Sequence, residues 1–598
     1  MLAYLPEDAT AKLASYVYRG EDHSYLYRHM WRPLCRRAVN HLPVWLAPNV
    51  ITVAALVLVS LTHALLVYYM PKLAARESDG VGCGEGGGAG LPFAKELAPP
   101  PPACVLILAA AALFLYQLLD NLDGHQARRT GTSSPLGLLM DHGCDAINCI
   151  VGGLSTAAVV SAGPCWKTWM IVLNTVTVFF LNTWEHYYRD VLVLPVINGP
   201  NEGIMLAIGV YVWTAWVGGP QWWYDSVVEV PTRWLPQVLH QPPPQAAVSI
   251  ESAVLRAVCP YVATQKDGDI AAVPFFFNFN CSPSYIAHPP RPTRVSLALD
   301  PVTARCEEAA AGRVWTGHGL IQQTVLRLYG GSAEGLLIRY NTLAVAVMTV
   351  MAVVTCLGNV YQVYRAVRRT PAAEQPKRFD RCRLSTRHPF LHALSRLVPL
   401  VVITVMGNVW FLTSQEDVFR RHPRIFCWTV GLLYTKLAIH LMVSHLCNAE
   451  FFPFRRTFLP FVFFGVHICL TYLHNVGQLR RQQQQRSRSS ASNGGDGVAA
   501  AWGIVNRSGS RVPVSATGAY SDYAYDLDEE LILYEFFALS VVTFLHLVWN
   551  VVRETAAALE VPVFTVPLQK QKALLAAIAA EKAEWEMRAR NQKAKKNA

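Results

Sequence analysis

Ten long apolar runs constrain this chain more than any other feature. They fall at roughly 50–70, 103–119, 138–162, 167–183, 203–218, 341–364, 389–412, 425–446, 457–475 and 531–551. Crossing the hydrocarbon core of a bilayer takes about 20 residues of helix. No water is available there, so every backbone N–H and C=O must bond within its own segment, and apolar runs of this length predict helices. A transmembrane barrel would instead show ten-residue strands of alternating polarity, a pattern the sequence does not carry. The predicted fold class is therefore all-α: a polytopic integral membrane protein with about ten transmembrane helices. Composition agrees, with 52% hydrophobic and only 16% charged residues in 598 and a mean hydropathy of +0.24, where a soluble chain carries about 25% charged residues.

The net charge of +11 does not point to nucleic acid, because in a membrane protein basic residues collect in cytoplasmic loops. Arg28, Arg32, Arg36 and Arg37 precede the first span and predict a cytoplasmic N-terminus. Ten crossings then place 120–137, the basic loop 365–387 and the tail in the cytoplasm. The loop 476–530 comes out lumenal despite Arg480, Arg481, Arg486 and Arg488, and long loops are where charge decides least. Asn280 and Asn506 head N-x-S sequons in loops predicted to be lumenal, and Cys259, Cys281 and Cys306 share the 219–340 insertion. The cysteines, 14 in all, show no C-x-x-C pairing that would suggest a zinc module. The predicted organisation is a cytoplasmic amphipathic segment (1–49), a catalytic core with five spans (50–218), a lumenal insertion (219–340), five further spans (341–553) interrupted by the low-complexity loop 476–530, and a cytoplasmic tail (554–598) whose stretch 569–598 reads as a charged surface helix.

Against this apolar background stands "DNLDGHQARRTGTSSPLGLLMDHGCD" (120–145). Asp120 and Asp123 are three apart at the end of the second span. Asp141 and Asp145 are four apart at the start of the third, so each pair shares a helix face. Gly131, Ser133, Ser134 and Pro135 can turn the chain back, which predicts antiparallel neighbours with four converging carboxylates. Two like charges about 4 Å apart repel by roughly 4 kcal/mol at an effective dielectric of 20. Protonation or a cation relieves that repulsion. Carboxylate oxygens suit Mg²⁺, Mn²⁺ or Ca²⁺, and four of them can hold two divalent ions about 4 Å apart, the spacing that clamps a phosphoryl group. Gly124, Ala127 and Gly137 leave room for a ligand or for a neighbouring helix, and Arg128 is placed to meet a phosphate oxygen.

The pattern D-x-x-D-G-x-x-A-R-x8-G-x3-D-x3-D, carried by Asp120, Asp123, Gly124, Ala127, Arg128, Gly137, Asp141 and Asp145, resembles the signature of CDP-alcohol phosphatidyltransferases without a departure. "LPVWLAPNVIT", "TWEHYYRDVLVLPVINGPNEG", "RLVPLVVITVMGNVW", "HLMVSHLCNAEF" and "VVRETAAALEVPVFTV" resemble the eukaryotic choline/ethanolamine phosphotransferase branch. The resemblance implies transfer of phosphocholine or phosphoethanolamine from CDP-choline or CDP-ethanolamine to diacylglycerol, with release of CMP. It implies Mg²⁺ or Mn²⁺ on Asp120, Asp123, Asp141 and Asp145. Substrate contacts fall to Asn49, Gly124, Ala127, Arg128 and Gly137. It also implies a homodimer in the bilayer of the endoplasmic reticulum or Golgi with its site facing the cytoplasm. The closing Lys595-Lys596-Asn597-Ala598 is similar to a dilysine retrieval signal. Three assignments stay open. The base is His142, or Asp145, or else His142 is structural. Glu202 orients His142 or is a turn carboxylate. Asn49 binds the cytidine or caps a helix. Trp184, Glu185, His186 and Tyr187 are expected at the membrane interface. Two other functions compete: a relative that consumes CDP-diacylglycerol, and a transporter with an intramembrane cation site.

Overall fold

The computed structural model describes residues 4–6, 9–74, 100–194, 199–234, 320–329, 335–369, 388–414, 418–452 and 529–597, with isolated residues between 462 and 470. Nearly all secondary structure among them is helical. A short helix α1 (Ala9–Ser15) and strand β1 (Gly20–Asp22) lead to α2 (Arg32–Ala38). Then come α3 (Pro48–Tyr69), α4 (Ala103–Thr130), α5 (Pro135–Val159), α6 (Trp166–Arg189), strand β2 (Leu192–Leu194) and α7 (Pro200–Trp216). After α8 (Gln221–Asp225), strand β3 (Val227–Pro231), α9 (Leu320–Tyr329) and strand β4 (Gly335–Arg339), the second half contains α10 (Tyr340–Arg369), α11 (Pro389–Ser395), α12 (Val398–Thr413) and α13 (Val418–Arg421). It closes with α14 (Pro423–Leu446), α15 (Glu529–Leu559) and α16 (Leu568–Asn597).

The protein is a multi-pass helical membrane protein. Among the described residues, six helical stretches are long and apolar enough to cross a bilayer: α3, α4, α10, the run Pro389–Phe411, α14 and α15. The predicted spans 138–162, 167–183 and 203–218 coincide with α5, α6 and α7, whose length or polar content keeps them below that standard. The predicted span 457–475 lies outside the described residues apart from isolated positions, as do Asn280, Asn506 and the cysteines of the 219–340 insertion.

Two predicted spans differ in shape. The run 103–119 continues as helix through both aspartates to Thr130, because "DNLDGHQARRT" holds no breaker until Gly131. That residue sits at φ 64°, a left-handed conformation that costs glycine least, and the Thr132 N–H bonds back to the Ala127 carbonyl to close the helix. The run 389–412 is broken into α11 and α12. Pro399 has no N–H to give and its ring clashes with a carbonyl four residues back, so the chain makes tight i→i+3 bonds at Arg396 and Leu397 before restarting.

At the centre runs α14, with 89% of its apolar stretch buried. It packs on α5, α6 and α15, while α10 covers α6 and α7 covers α4. Gly431 allows the closest approach, since a Cβ there would stand 2.7 Å from Ile150 Cδ1 on α5. Trp169, Phe180, Trp184, Phe426, Val430 and Tyr434 fill the main apolar cluster between these helices. Trp184, Glu185, His186 and Tyr187 are all buried inside this bundle, where α6 packs against α5, α10 and α14.

Two small sheets fasten the loops. The parallel pair β1–β2 (Gly20↔Leu192) ties the N-terminal segment to the chain just before α7. The antiparallel pair β3–β4 (Val227↔Arg339) joins the two ends of the 219–340 insertion, and the Arg339 guanidinium lies 3.7 Å over the Tyr224 ring.

Candidate active site

As expected, α4 and α5 face each other as neighbours: Tyr116 of α4 reaches Asp145 of α5, and Asp120 meets Asp141 and Asp145. Both helices also pack on α3. The short 131–134 connection turns the chain, Ser134 caps α5 by accepting the Gly137 N–H at 3.2 Å, and Pro135 follows in the first turn. The result is two helices that face each other across a gap bridged by side chains.

Carboxylates fill that gap. Ligand atoms of Asp120, Asp141 and Asp145 lie within 4.8 Å of one another. Asp123, the fourth predicted member, stands outside that group, 8% exposed, and accepts the Thr52 hydroxyl of α3. Tyr116 O–H donates to Asp145 Oδ1 at 2.6 Å. Three partly buried acid side chains with this reach suit a divalent cation: hard oxygen ligands and a concentrated negative charge, with no lysine paired to them among the described residues. The Arg128 guanidinium lies along its own helix, 3.5 Å from where a Cβ on Gly124 would be. Glycine at 124 thus leaves that arginine room, and no described residue forms an ion pair with it. Gly137 faces Asn49, whose Oδ1 is 3.7 Å from where a Cβ on Gly137 would be. Ala127 accepts the Thr132 N–H at the end of α4.

His142 is 12% exposed, with Nδ1 3.7 Å from Asp141 Oδ2, too long for a hydrogen bond. That nitrogen is buried without a partner. The ring lies 6.4 Å from Phe179 and 6.2 Å from His186, which in turn is 4.2 Å from His445. Glu202 does not hold His142 here. It stands in the first turn of α7, its Oε1 accepts the Ser24 hydroxyl at 2.5 Å, and its Oε2 is buried without a partner. Nor does Asn49 cap α3. It is the second residue of the helix, after an Ala47 N-cap, and its Nδ2 donates to the Val563 carbonyl at 2.7 Å.

Several residues the sequence reading passed over shape this end. Asn201 accepts from Gln117 Nε2 at 2.8 Å and donates to Asp22 at 3.1 Å, linking α4, α7 and the N-terminal segment. Burial raises the Asp22 carboxyl above its ordinary range, opposed by bonds from the Ser24 N–H and Asn201. Tyr116 and Gln117 carried a legible signal, since they lie four and three residues before Asp120 on the same helix face. Thr52 and Ser24 carried none, because only the fold brings them to Asp123 and Glu202.

A polytopic helical membrane protein with an acid cluster between two helix ends is the class this geometry defines. Comparison with known proteins narrows it. Residues 45–231 match the CDP-alcohol phosphatidyltransferase family. Among similar proteins, choline/ethanolaminephosphotransferase 2 of Arabidopsis thaliana is 40% identical over 225 residues, 37% of this chain and 50% of the relative. Choline/ethanolaminephosphotransferase 1 of the same plant is 36% identical over 240 residues, 40% and 54%. Cholinephosphotransferase 1 of Saccharomyces cerevisiae is 30% identical over 239 residues, 38% and 54%. The chain spans about half the length of these curated relatives.

Proposed function

We propose that this chain is a diacylglycerol phosphotransferase. It moves phosphocholine or phosphoethanolamine from CDP-choline or CDP-ethanolamine to the diacylglycerol hydroxyl, releasing CMP and leaving phosphatidylcholine or phosphatidylethanolamine. The observation that carries the reading is the meeting of Asp120, Asp141 and Asp145 within 4.8 Å beside an Arg128 without an anionic partner among the described residues, in a chain with the full eight-residue signature. The names of the similar proteins support the head groups.

Two Mg²⁺ or Mn²⁺ ions, held by Asp120, Asp123, Asp141 and Asp145, would neutralise the donor's pyrophosphate. Arg128 binds a phosphate oxygen. Gly124, Ala127 and Gly137 leave the space the nucleotide fills, and Asn49 meets its base. The diacylglycerol oxygen attacks the β-phosphorus, the bond to the CMP oxygen breaks, and the hydroxyl proton passes to His142. A neutral imidazole near pH 7 suits that role, and the bare Nδ1 of His142 supports it. Asp145 is the rival base, although Tyr116 already engages one of its oxygens. Glu202 acts through Ser24 and the N-terminal segment instead of through His142.

A bilayer-bound lipid and a soluble anion meet most simply at the end of α4 and the start of α5. The site faces the cytoplasm in this reading, the enzyme is a homodimer, and it resides in the endoplasmic reticulum or Golgi membrane. Loop charge and Lys595-Lys596 support that placement. The test is CMP release by purified protein given diacylglycerol and each donor separately, with and without divalent ions. Metal-dependent release from CDP-choline or CDP-ethanolamine is expected. Release only from CDP-diacylglycerol, or no release by folded protein that binds CMP, would falsify the reading.

A further inference from the structure

The far end of the chain returns to the site. After α15, Glu560 at φ 54° reverses the backbone. The Val563 carbonyl then accepts from Asn49 Nδ2 at 2.7 Å. Seven residues later Lys570 Nζ donates to the Gly131 carbonyl at 2.6 Å, on the turn that joins α4 to α5. Gln571 Nε2 donates to the Val566 carbonyl at 2.7 Å and braces the segment between these ties. Residues 561–571 are thus fastened to both flanks of the gap, the start of α3 and the α4–α5 turn, and α16 goes on to pack against α4.

This contact settles the orientation of Asn49. A carbonyl oxygen only accepts, so the amide nitrogen must face Val563 and Oδ1 must face away. Away from Val563 lies Gly137, a Cβ on which would stand 3.7 Å from Oδ1. No described residue donates to that oxygen. Asn49 therefore presents an acceptor to the space beside the glycine, on a side chain only 9% exposed.

We infer that residues 561–571 form a positioning element of the nucleotide site, in which the Val563 carbonyl fixes Asn49 as an acceptor for the exocyclic amino group of a pyrimidine. An amino-bearing base, cytosine, satisfies Oδ1. Uracil places a carbonyl in the same position and sets acceptor against acceptor. Val563 is a positioning residue, since it acts through Asn49 and touches no substrate atom. The inference rests on the proposed reaction, and adds to it both the element that selects the base and the reason the tail of the chain belongs to the site.

The experiment measures CMP and UMP binding to the full-length protein by calorimetry, with melting temperature as a control. Wild type is expected to favour CMP by roughly tenfold, the selectivity typical of one directed hydrogen bond. Inserting two glycines between Glu560 and Val561 displaces the carbonyl, and Asn49→Ala removes the acceptor. Each is expected to bring the CMP/UMP ratio near one with UMP affinity little changed. Lys570→Ala, at an exposed side chain, is expected to lower CMP affinity about threefold without a change in melting temperature. A glycine-insertion protein that melts like wild type and keeps the wild-type ratio overturns the inference. If the insertion unfolds the protein, Lys570→Ala with unchanged CMP affinity overturns it instead. A wild-type ratio of one alongside normal CMP release from CDP-choline defeats this inference alone. A folded chain that releases no CMP from either donor defeats the proposed reaction as well.

Discussion

Two polar clusters, one buried and one partly buried, sit near opposite ends of α5. At one, Lys167 Nζ donates to Asn341 Oδ1 at 3.0 Å, and Asn341 Nδ2 donates to the Ser161 carbonyl at 2.9 Å. There a cation donates to a neutral amide oxygen, and that amide in turn donates to a backbone carbonyl. At the other end Asp120, Asp141 and Asp145 crowd like charges together with one tyrosine hydroxyl among their donors. The acid cluster is the more open of the two, with the Asp141 side chain 29% exposed against 6% for Lys167. They also differ in complementarity. A matched cluster holds a fold together, whereas a mismatched one is tolerated when something outside the chain completes it. Arg128, lying along Gly124 with no described ion-pair partner, adds the opposite charge that an anionic ligand would meet.

The contrast is broken most forcefully at the acid cluster. Asp141→Asn should lower CMP release by about a thousandfold or more, the scale of a lost phosphoryl clamp. Without divalent ions the same variant should melt higher than wild type, because one of the repelling charges is gone. Adding Mg²⁺ should raise the wild-type melting temperature by linkage and leave the variant nearly unchanged. A variant that melts lower than wild type without metal would show the cluster to be matched after all. Next in size, His142→Ala should cost 10²–10⁴-fold in turnover, roughly the contribution of a general base, with CMP affinity kept. Full activity would move the base role to Asp145.

At the matched cluster, Lys167→Ala strands Asn341 and should cost about 2 kcal/mol of stability, read as a lower melting temperature with an unchanged KM for the donor. A changed KM at normal stability would tie this end to catalysis. Tyr116→Phe removes the hydroxyl from Asp145 and should lower turnover by roughly tenfold, the effect of one hydrogen bond to a charged group. The smallest expected change is in the turn. Gly131→Ala forces a side chain into left-handed backbone and should cost about 1 kcal/mol, visible in melting and, through the α4–α5 gap, as a modest loss of donor affinity.

How much of this was legible depends on the range of the interaction. Helices α3, α4, α10, α14 and α15 follow from apolar length, which acts within a segment. The eight signature residues were readable because helical spacing brings each pair of aspartates to one face. The break at Pro399 was there to be read, because a proline's missing N–H is a local fact. The packing of α3 against both α4 and α5 was not, because no local property of either helix states which third helix it meets.

By itself, then, the sequence determined a helical membrane protein with a metal-suited, phosphate-suited set of eight residues. Helical period and the absence of water in lipid require nothing more than the order of residues. Only the tertiary structure decided that Asp123 is held by Thr52 apart from its three companions, that Ser24 and not His142 engages Glu202, and that Val563 orients Asn49 from 514 residues away. These are contacts between groups with no fixed separation along the chain. Their partners are chosen by which buried donor the packing leaves within reach of which acceptor.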